Sequence, residues 1–198
     1  MVICTFTPPF ILVALLLLGI AIADNEVAVL ENLKHAYGDW SPRGIIDVGA
    51  NVGGWSRAAR KVYPDAKILM FDAFSGNSEE LQKAQNEIGN SVHRIAVLSN
   101  KVDDVVKFFV SDLGSTGNSM FLENTFYHKG KYVERNTSTL DLEVTRAGDL
   151  FSSSILYYVY LLFDVQGAEL VVLEGAEKIL EQVTFVQFEQ SLVEYNQG

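Results

Sequence analysis

The sequence predicts an α/β domain with a mostly parallel, doubly wound sheet covered by helices on both faces. Short apolar runs, "GIIDV", "KILMFD", "ILYYVYLLFDV" and "VTFVQFE", alternate with stretches whose apolar residues recur at helical spacing. Each run ends on or runs into an acidic residue: Asp47, Asp72, Asp164 and Glu189. In open parallel sheets ligands bind beyond the carboxyl ends of the strands, so the acids gather where a ligand would sit. The first run also enters a glycine-bearing turn, "DVGANVGG", followed by a helical pattern.

A chain of 198 residues, 48% hydrophobic and 20% charged, is globular and long enough for one proper core. Its net charge of −10 would repel a phosphate backbone. Nucleic acid is therefore not an expected partner, and a small-molecule substrate is. The single cysteine, Cys4, builds no disulfide, zinc cluster or nucleophile within the fold. His35, His93 and His128 lack metal-ligand spacing, so no metal is expected.

Residues 1–23 carry no charged side chain, and residues 10–23, "FILVALLLLGIAIA", form an apolar block. As a helix the block would span about 21 Å, short of a hydrocarbon core of about 30 Å. It ends in Ala21-Ile22-Ala23, a small-x-small pattern. Residues 1–23 read as a cleaved signal peptide or, alternatively, an uncleaved signal anchor, and residues 24–198 as the folded domain. Either reading implies the secretory pathway or membrane association, with membrane contact only through an uncleaved segment. "NTS" at Asn136 is then a glycosylation sequon.

In "DNEVAVLENLKHAYG", Val27, Leu30, Leu33 and Tyr37 share a helical face, with Asp24 or Asn25 as cap and Gly38 as stop. "GIIDV" is a buried strand. Trp55, Ala58, Ala59 and Val62 recur as a helix that Pro64 ends. "KILMFD" is the next strand. Asn77 and Glu80 match a capping box before Leu81, Ala84 and Ile88, with Gly89 closing the helix. Strands are expected at 92–97 and 105–110, and a polar loop region at 111–136. "STLDLEV" suits a short strand or a helix start. The apolar run 155–163 is a strand, Val172, Leu173, Ala176, Ile179 and Leu180 mark one amphipathic helix, and "VTFVQFE" is the last strand.

The glycine turn misses the dinucleotide fingerprint by one residue: Gly49, Asn51 and Gly54 stand where three glycines would. Asp47 lies two residues before Gly49, where a pyrophosphate at the helix N-terminus would meet its carboxylate. S-adenosylmethionine has no phosphate and carries cationic ammonium and sulfonium centres, which a carboxylate suits. Asp72, ending the next strand, would accept from ribose hydroxyls, a role common to both cofactors.

"IIDVGANVGGWS", "GSTGNSMFLEN", "TLDL" and "LLFDVQGAELVVLEGAEKILEQVTFVQFEQSLVEYNQG" resemble the FkbM-type methyltransferases from about Leu30 to Gly198. The resemblance implies a Rossmann-like class I fold, S-adenosylmethionine as donor, and O-methylation of a hydroxyl on a sugar or other small molecule. It implies that Asp47, Gly49, Asn51 and Gly53 surround the methionyl part of the cofactor. Asp72 would take the ribose, and Ala96 would lie beside the adenine. The family has Glu more often at the position of Asp72, a proline after it, and often Lys where Leu162 stands. Its fold continues past the last strand with a helix and an antiparallel hairpin, which is missing after Gly198 and would leave an apolar edge.

Asp164 is the first candidate to bind the substrate hydroxyl or act as base. Glu169 is the second, although a carboxylate in a first helical turn is also favourable by about 0.3–1 kcal/mol. Two further readings stand: a nicotinamide oxidoreductase on a similar sheet, and a non-catalytic or truncated Rossmann-like fragment.

Overall fold

The computed structural model describes residues 2–7, 11–15, 28–37, 40–111, 117–123, 131–148, 159–188 and 196–197. In chain order the strands are β1 (Val2–Thr7), β2 (Ile11–Leu15), β3 (Gly44–Val48), β4 (Lys67–Asp72), β5 (Ser91–Ile95), β6 (Val97–Leu98), β7 (Val105–Phe109), β8 (Leu122–Glu123), β9 (Tyr132–Ser138), β10 (Val159–Phe163), β11 (Val183–Phe188) and β12 (Asn196–Gln197). The helices are α1 (Ala28–Ala36), α2 (Gly54–Val62), α3 (Ser78–Ile88), α4 (Leu140–Arg146), α5 (Glu169–Glu174) and α6 (Glu177–Leu180).

The main sheet runs β2-β1-β11-β10-β3-β4-β5. Its strands β11, β10, β3, β4 and β5 are mutually parallel. Successive residues point to opposite faces, and both faces are buried. Ile45, Ile68, Met70, Tyr160 and Phe185 pack with Leu30, Ala59, Leu81 and Ala84 of α1, α2 and α3. Ile46, Leu69, Phe71, Leu161 and Val186 pack with Leu140, Val172 and Ile179 of α4, α5 and α6. Each fully buried aliphatic side chain contributes about 1.5–3 kcal/mol, which explains why strands apolar on both faces assemble this way.

The outer edge of β11 is not bare. β1 pairs with it antiparallel, from Val2 opposite Phe188 to Thr5 opposite Phe185, and β2 pairs antiparallel with β1. Backbone of residues 2–7 and 11–15 thus lies where the family's closing hairpin was expected, and it satisfies the edge's hydrogen-bonding groups. Residues 11–15 are extended rather than helical. Among the described residues no helix is long and apolar enough to cross a membrane. Residues 16–23, with the small-x-small pattern, lie outside the described residues, as do Asp24, Asn25, Val27, Gly38, His128 and Glu189.

Several local expectations change. Tyr37 is exposed and Val29 takes a place in the core with Leu30 and Leu33. The capping box does not form: α3 has no side-chain cap bond at Asn77, and Glu80 pairs with Lys83 instead. β9 rises from the region read as loop, because its polar residues are held by antiparallel pairing with β7, a tertiary influence local propensity cannot convey. "TLDL" is a helix start, with Thr139 Oγ1 accepting from the Leu142 amide at 3.3 Å. Asp141 accepts from the Lys178 and Ile179 amides, both at 2.9 Å, and so caps α6. The helix expected through 172–180 is broken into α5 and α6 at Gly175, where a Cβ would lie 2.1 Å from the Ser99 carbonyl oxygen.

Candidate active site

The carboxyl ends of the parallel strands open into a cleft, where ligands of open parallel sheets bind. Backbone bonds set its rim. The amides of Gly49 and Ala50 both donate to the Phe71 carbonyl at 2.8 and 2.9 Å, the Asp164 amide to Val48 at 2.8 Å, and the Ala96 amide to Asp72 at 2.8 Å. The turn after β3, the end of β4, the link after β5 and the turn after β10 are therefore stitched into one wall.

Of the residues expected at a site, Gly49, Asn51, Asp72, Ala96 and Asp164 line the cleft. Asp47, Gly53 and Glu169 do not line it. Asp47 is 1% exposed and accepts from Ser56 Oγ at 2.5 Å. It points to the α2 face of the sheet because it alternates with Ile46 and Val48, so it anchors the turn from below. Gly53, at φ +77, brings α2 against α3: a Cβ there would lie 2.6 Å from that of Ala84. Glu169 Oε1 accepts from the amides of Val165 and Gly167, both at 3.3 Å, which caps the turn preceding α5.

Gly49 is held at φ +91, and a Cβ would fall 1.9 Å from the Asp164 carbonyl oxygen. Only glycine allows the two strand ends to approach this closely. Asn51 also adopts a left-handed conformation, at φ 50, which asparagine tolerates better than most residues. Its amide donates to Asp72 Oδ2 at 2.8 Å. Asp72 Oδ1 accepts from the Phe74 amide at 2.8 Å and from Asn77 Nδ2 at 3.2 Å. Burial outweighs these donors and pushes the Asp72 carboxyl up from 3.8 to about 6.

Around Asp164, Gln166 Nε2 donates to Oδ1 at 2.7 Å. Gln166 sits at φ 53, a conformation that costs a non-glycine residue of order 1–3 kcal/mol and recurs at functional sites. Ser119 Oγ donates to the Gln166 carbonyl at 2.9 Å and is itself buried, so the segment opposite fastens this turn. Residues 114–116 and 124 of the expected substrate loop lie outside the described residues, while Gly117, Asn118, Ser119 and Met120 line the cleft. Sequence reasoning singled out neither Asn77 nor Gln166 as a site residue. The first looked like a helix cap, and the second showed only as a polar residue inside the "DVQGAE" segment.

Among the described residues that line the cleft there is no Lys or Arg, whereas there are two aspartates. The wall fits a nucleoside ligand without phosphate: Phe71, Phe74, Ala96, Val97 and Leu98 give an apolar slot beside the Asp72 carboxylate. A parallel α/β sheet carrying such a cleft at its strand ends is a Rossmann-like architecture. The family model of the methyltransferase FkbM domain matches residues 47–198. The chain belongs to the FkbM methyltransferase family and is a methyltransferase. No curated protein matches it in sequence.

One pH effect follows from Asp72. Between its ordinary value of 3.8 and about 6 the folded chain holds a proton that the unfolded chain has released. This group's contribution to stability therefore falls as pH rises through that window. Ligand affinity should run the other way, because only the ionised carboxylate is a full acceptor for a hydroxyl. Titration calorimetry with S-adenosylhomocysteine should show affinity declining below about pH 6, with the decline lost in Asp72→Asn. An unchanged acid limb in that variant would assign the dependence to another group.

Proposed function

We propose that the protein transfers a methyl group from S-adenosylmethionine to a hydroxyl oxygen on a sugar or other small molecule. The observation that carries this reading is the acidic cleft wall formed by Asp72 and Asp164, with no Lys or Arg among the described lining residues. A dinucleotide's diphosphate would find no cationic partner among the described lining residues and would meet carboxylates instead. The bound donor supplies an electrophilic methyl on a cationic sulfur.

The chain's own residues supply binding, alignment and proton handling. Asp72 accepts a ribose hydroxyl, and the glycine turn lets backbone approach the methionyl part. Asp164 accepts the proton of the substrate hydroxyl as that oxygen becomes the nucleophile, a role worth about 10²–10⁴-fold in rate. Alignment of the partners in a closed cleft is the larger contribution, at about 7–11 kcal/mol of barrier.

The test has two stages. Calorimetry with S-adenosylhomocysteine and with NADH should give binding of the first alone; the reverse result would make the oxidoreductase reading the better one. Methyl-labelled donor is then incubated with a panel of monosaccharides and simple alcohols. Label in an ether stable to mild base supports O-methylation, while binding of the cofactor product without transfer to any acceptor favours the non-catalytic reading.

A further inference from the structure

Asn77 occupies the first position before α3 and looks, in sequence, like a helix cap. Its side chain does something else. Asn77 is 4% exposed, and its one amide nitrogen donates to two acceptors at 3.2 Å: Oδ1 of Asp72 and Oδ1 of Asn51. Those acceptors belong to the two halves of the cleft, the acidic end of β4 and the turn after β3. Asn51 completes the ring by donating its backbone amide to the other oxygen of Asp72 at 2.8 Å.

We propose that Asn77 is a positioning residue: its amide clamps Asp72 to the Asn51 turn, holds the carboxylate in its accepting state, and leaves it an open acceptor position for a ribose hydroxyl. The count comes from the bonds. An ionised carboxylate offers about four lone-pair sites. On Asp72, Oδ1 takes Phe74 and Asn77, and Oδ2 takes Asn51. Oδ2 keeps an open site for a ribose hydroxyl. The clamp also accounts for asparagine at position 51, where a dinucleotide pattern would carry glycine: glycine would have no side-chain oxygen for Asn77 to bind.

The charged groups near Asp72 do not replace Asn77. Asp164 shares the cleft wall. Arg135 of β9 reaches Ser75 Oγ at 3.4 Å, Arg94 of β5 is paired with Glu143, Arg57 of α2 with Glu87, and Lys83 of α3 with Glu79 and Glu80. None of them bonds Asp72, whose three donors are all uncharged. Removing a donor to the charged form favours the protonated form.

The proposal rests on the S-adenosylmethionine reading for its ligand, and its test separates the two. The full chain is labelled with ¹³C at aspartate carboxyls, and Asp72 is titrated without ligand in wild type, Asn77→Ala and Asn77→Ser. Affinity for S-adenosylhomocysteine is measured from pH 5 to 8 in the same proteins. The expected result is an Asp72 midpoint higher in Asn77→Ala than in wild type, with Asn77→Ser, which keeps one donor, between them. Affinity for the ligand should fall about tenfold near neutral pH, the equivalent of one lost hydrogen bond to a charged group. Its acid limb should move up by the same amount as the carboxyl midpoint.

An unmoved Asp72 midpoint overturns the proposal, even if affinity drops equally at every pH, because that pattern marks a purely structural residue. If Asn77→Ala does not fold, Asn77→Ser carries the same comparison. Should no protein bind S-adenosylhomocysteine, the cofactor reading fails while the carboxyl titration still decides the clamp.

Discussion

Gly49→Ala should lose a large share of the protein's stability and, in whatever remains folded, the affinity proposed for S-adenosylhomocysteine. Two costs coincide at this residue. Its φ of +91 is unfavourable for any side chain, and the new Cβ would lie 1.9 Å from a backbone oxygen, that of Asp164. Backbone strain of about 1–3 kcal/mol and overpacking of about 1–3 kcal/mol add to roughly 2–6 kcal/mol. A domain is stable by only about 5–15 kcal/mol. The obstructing atom is main chain, so no rotamer change relieves it. The Asp164 amide is bonded to the Val48 carbonyl at 2.8 Å, which keeps the two strand ends from separating. Urea denaturation followed by circular dichroism reads the effect. A midpoint equal to wild type, with unchanged ligand affinity, would mean that the approach of the two strand ends is looser than described. Gly54→Ala is the control, since a Cβ there meets nothing within 4 Å.

Asp164→Asn should abolish transfer, by about 10²–10⁴-fold, while leaving affinity for S-adenosylhomocysteine within about twofold. Asparagine preserves shape and still presents an oxygen to Gln166 Nε2, now 2.7 Å from Asp164 Oδ1. The strained turn at Gln166 and its bond from Ser119 therefore persist. What disappears is the capacity to take a proton. Initial rates with labelled donor and the acceptor found in the panel, beside calorimetry on the same preparation, separate the possibilities. Loss of cofactor affinity would assign Asp164 to donor binding. Retained transfer would place the proton acceptor elsewhere in the cleft.

The legible part of the fold was the part governed by local pattern. "GIIDV" and "KILMFD" became β3 and β4 with the expected ends, and Leu81, Ala84 and Ile88 are the buried stripe of α3. β9 was missed, since "YVERNTS" has little strand character apart from its partner β7. The break between α5 and α6 was missed because Gly175, tolerable inside a helix, is held against the Ser99 carbonyl, about 76 residues away in sequence. At the site, Asp72 and Asp164 line the cleft from strand ends, beside Gly49, Asn51 and Ala96. Asp47 and Glu169 carry the same charge in similarly suggestive positions, yet face the α2 side of the sheet and a helix-capping turn.

From its sequence alone this protein had its sheet class, its glycine turn, its acidic strand ends and its family likeness determined, because each follows from periodicity, composition or adjacent residues. Tertiary structure alone decided which carboxylates face the cleft, that β1 and β2 complete the sheet beyond β11, and that Asn77 serves Asp72 instead of its own helix. The physical reason is common to all three. Alternation along a strand, hydrogen bonding at a sheet edge and a buried amide's choice of acceptor depend on partners that only folding brings within about 3 Å.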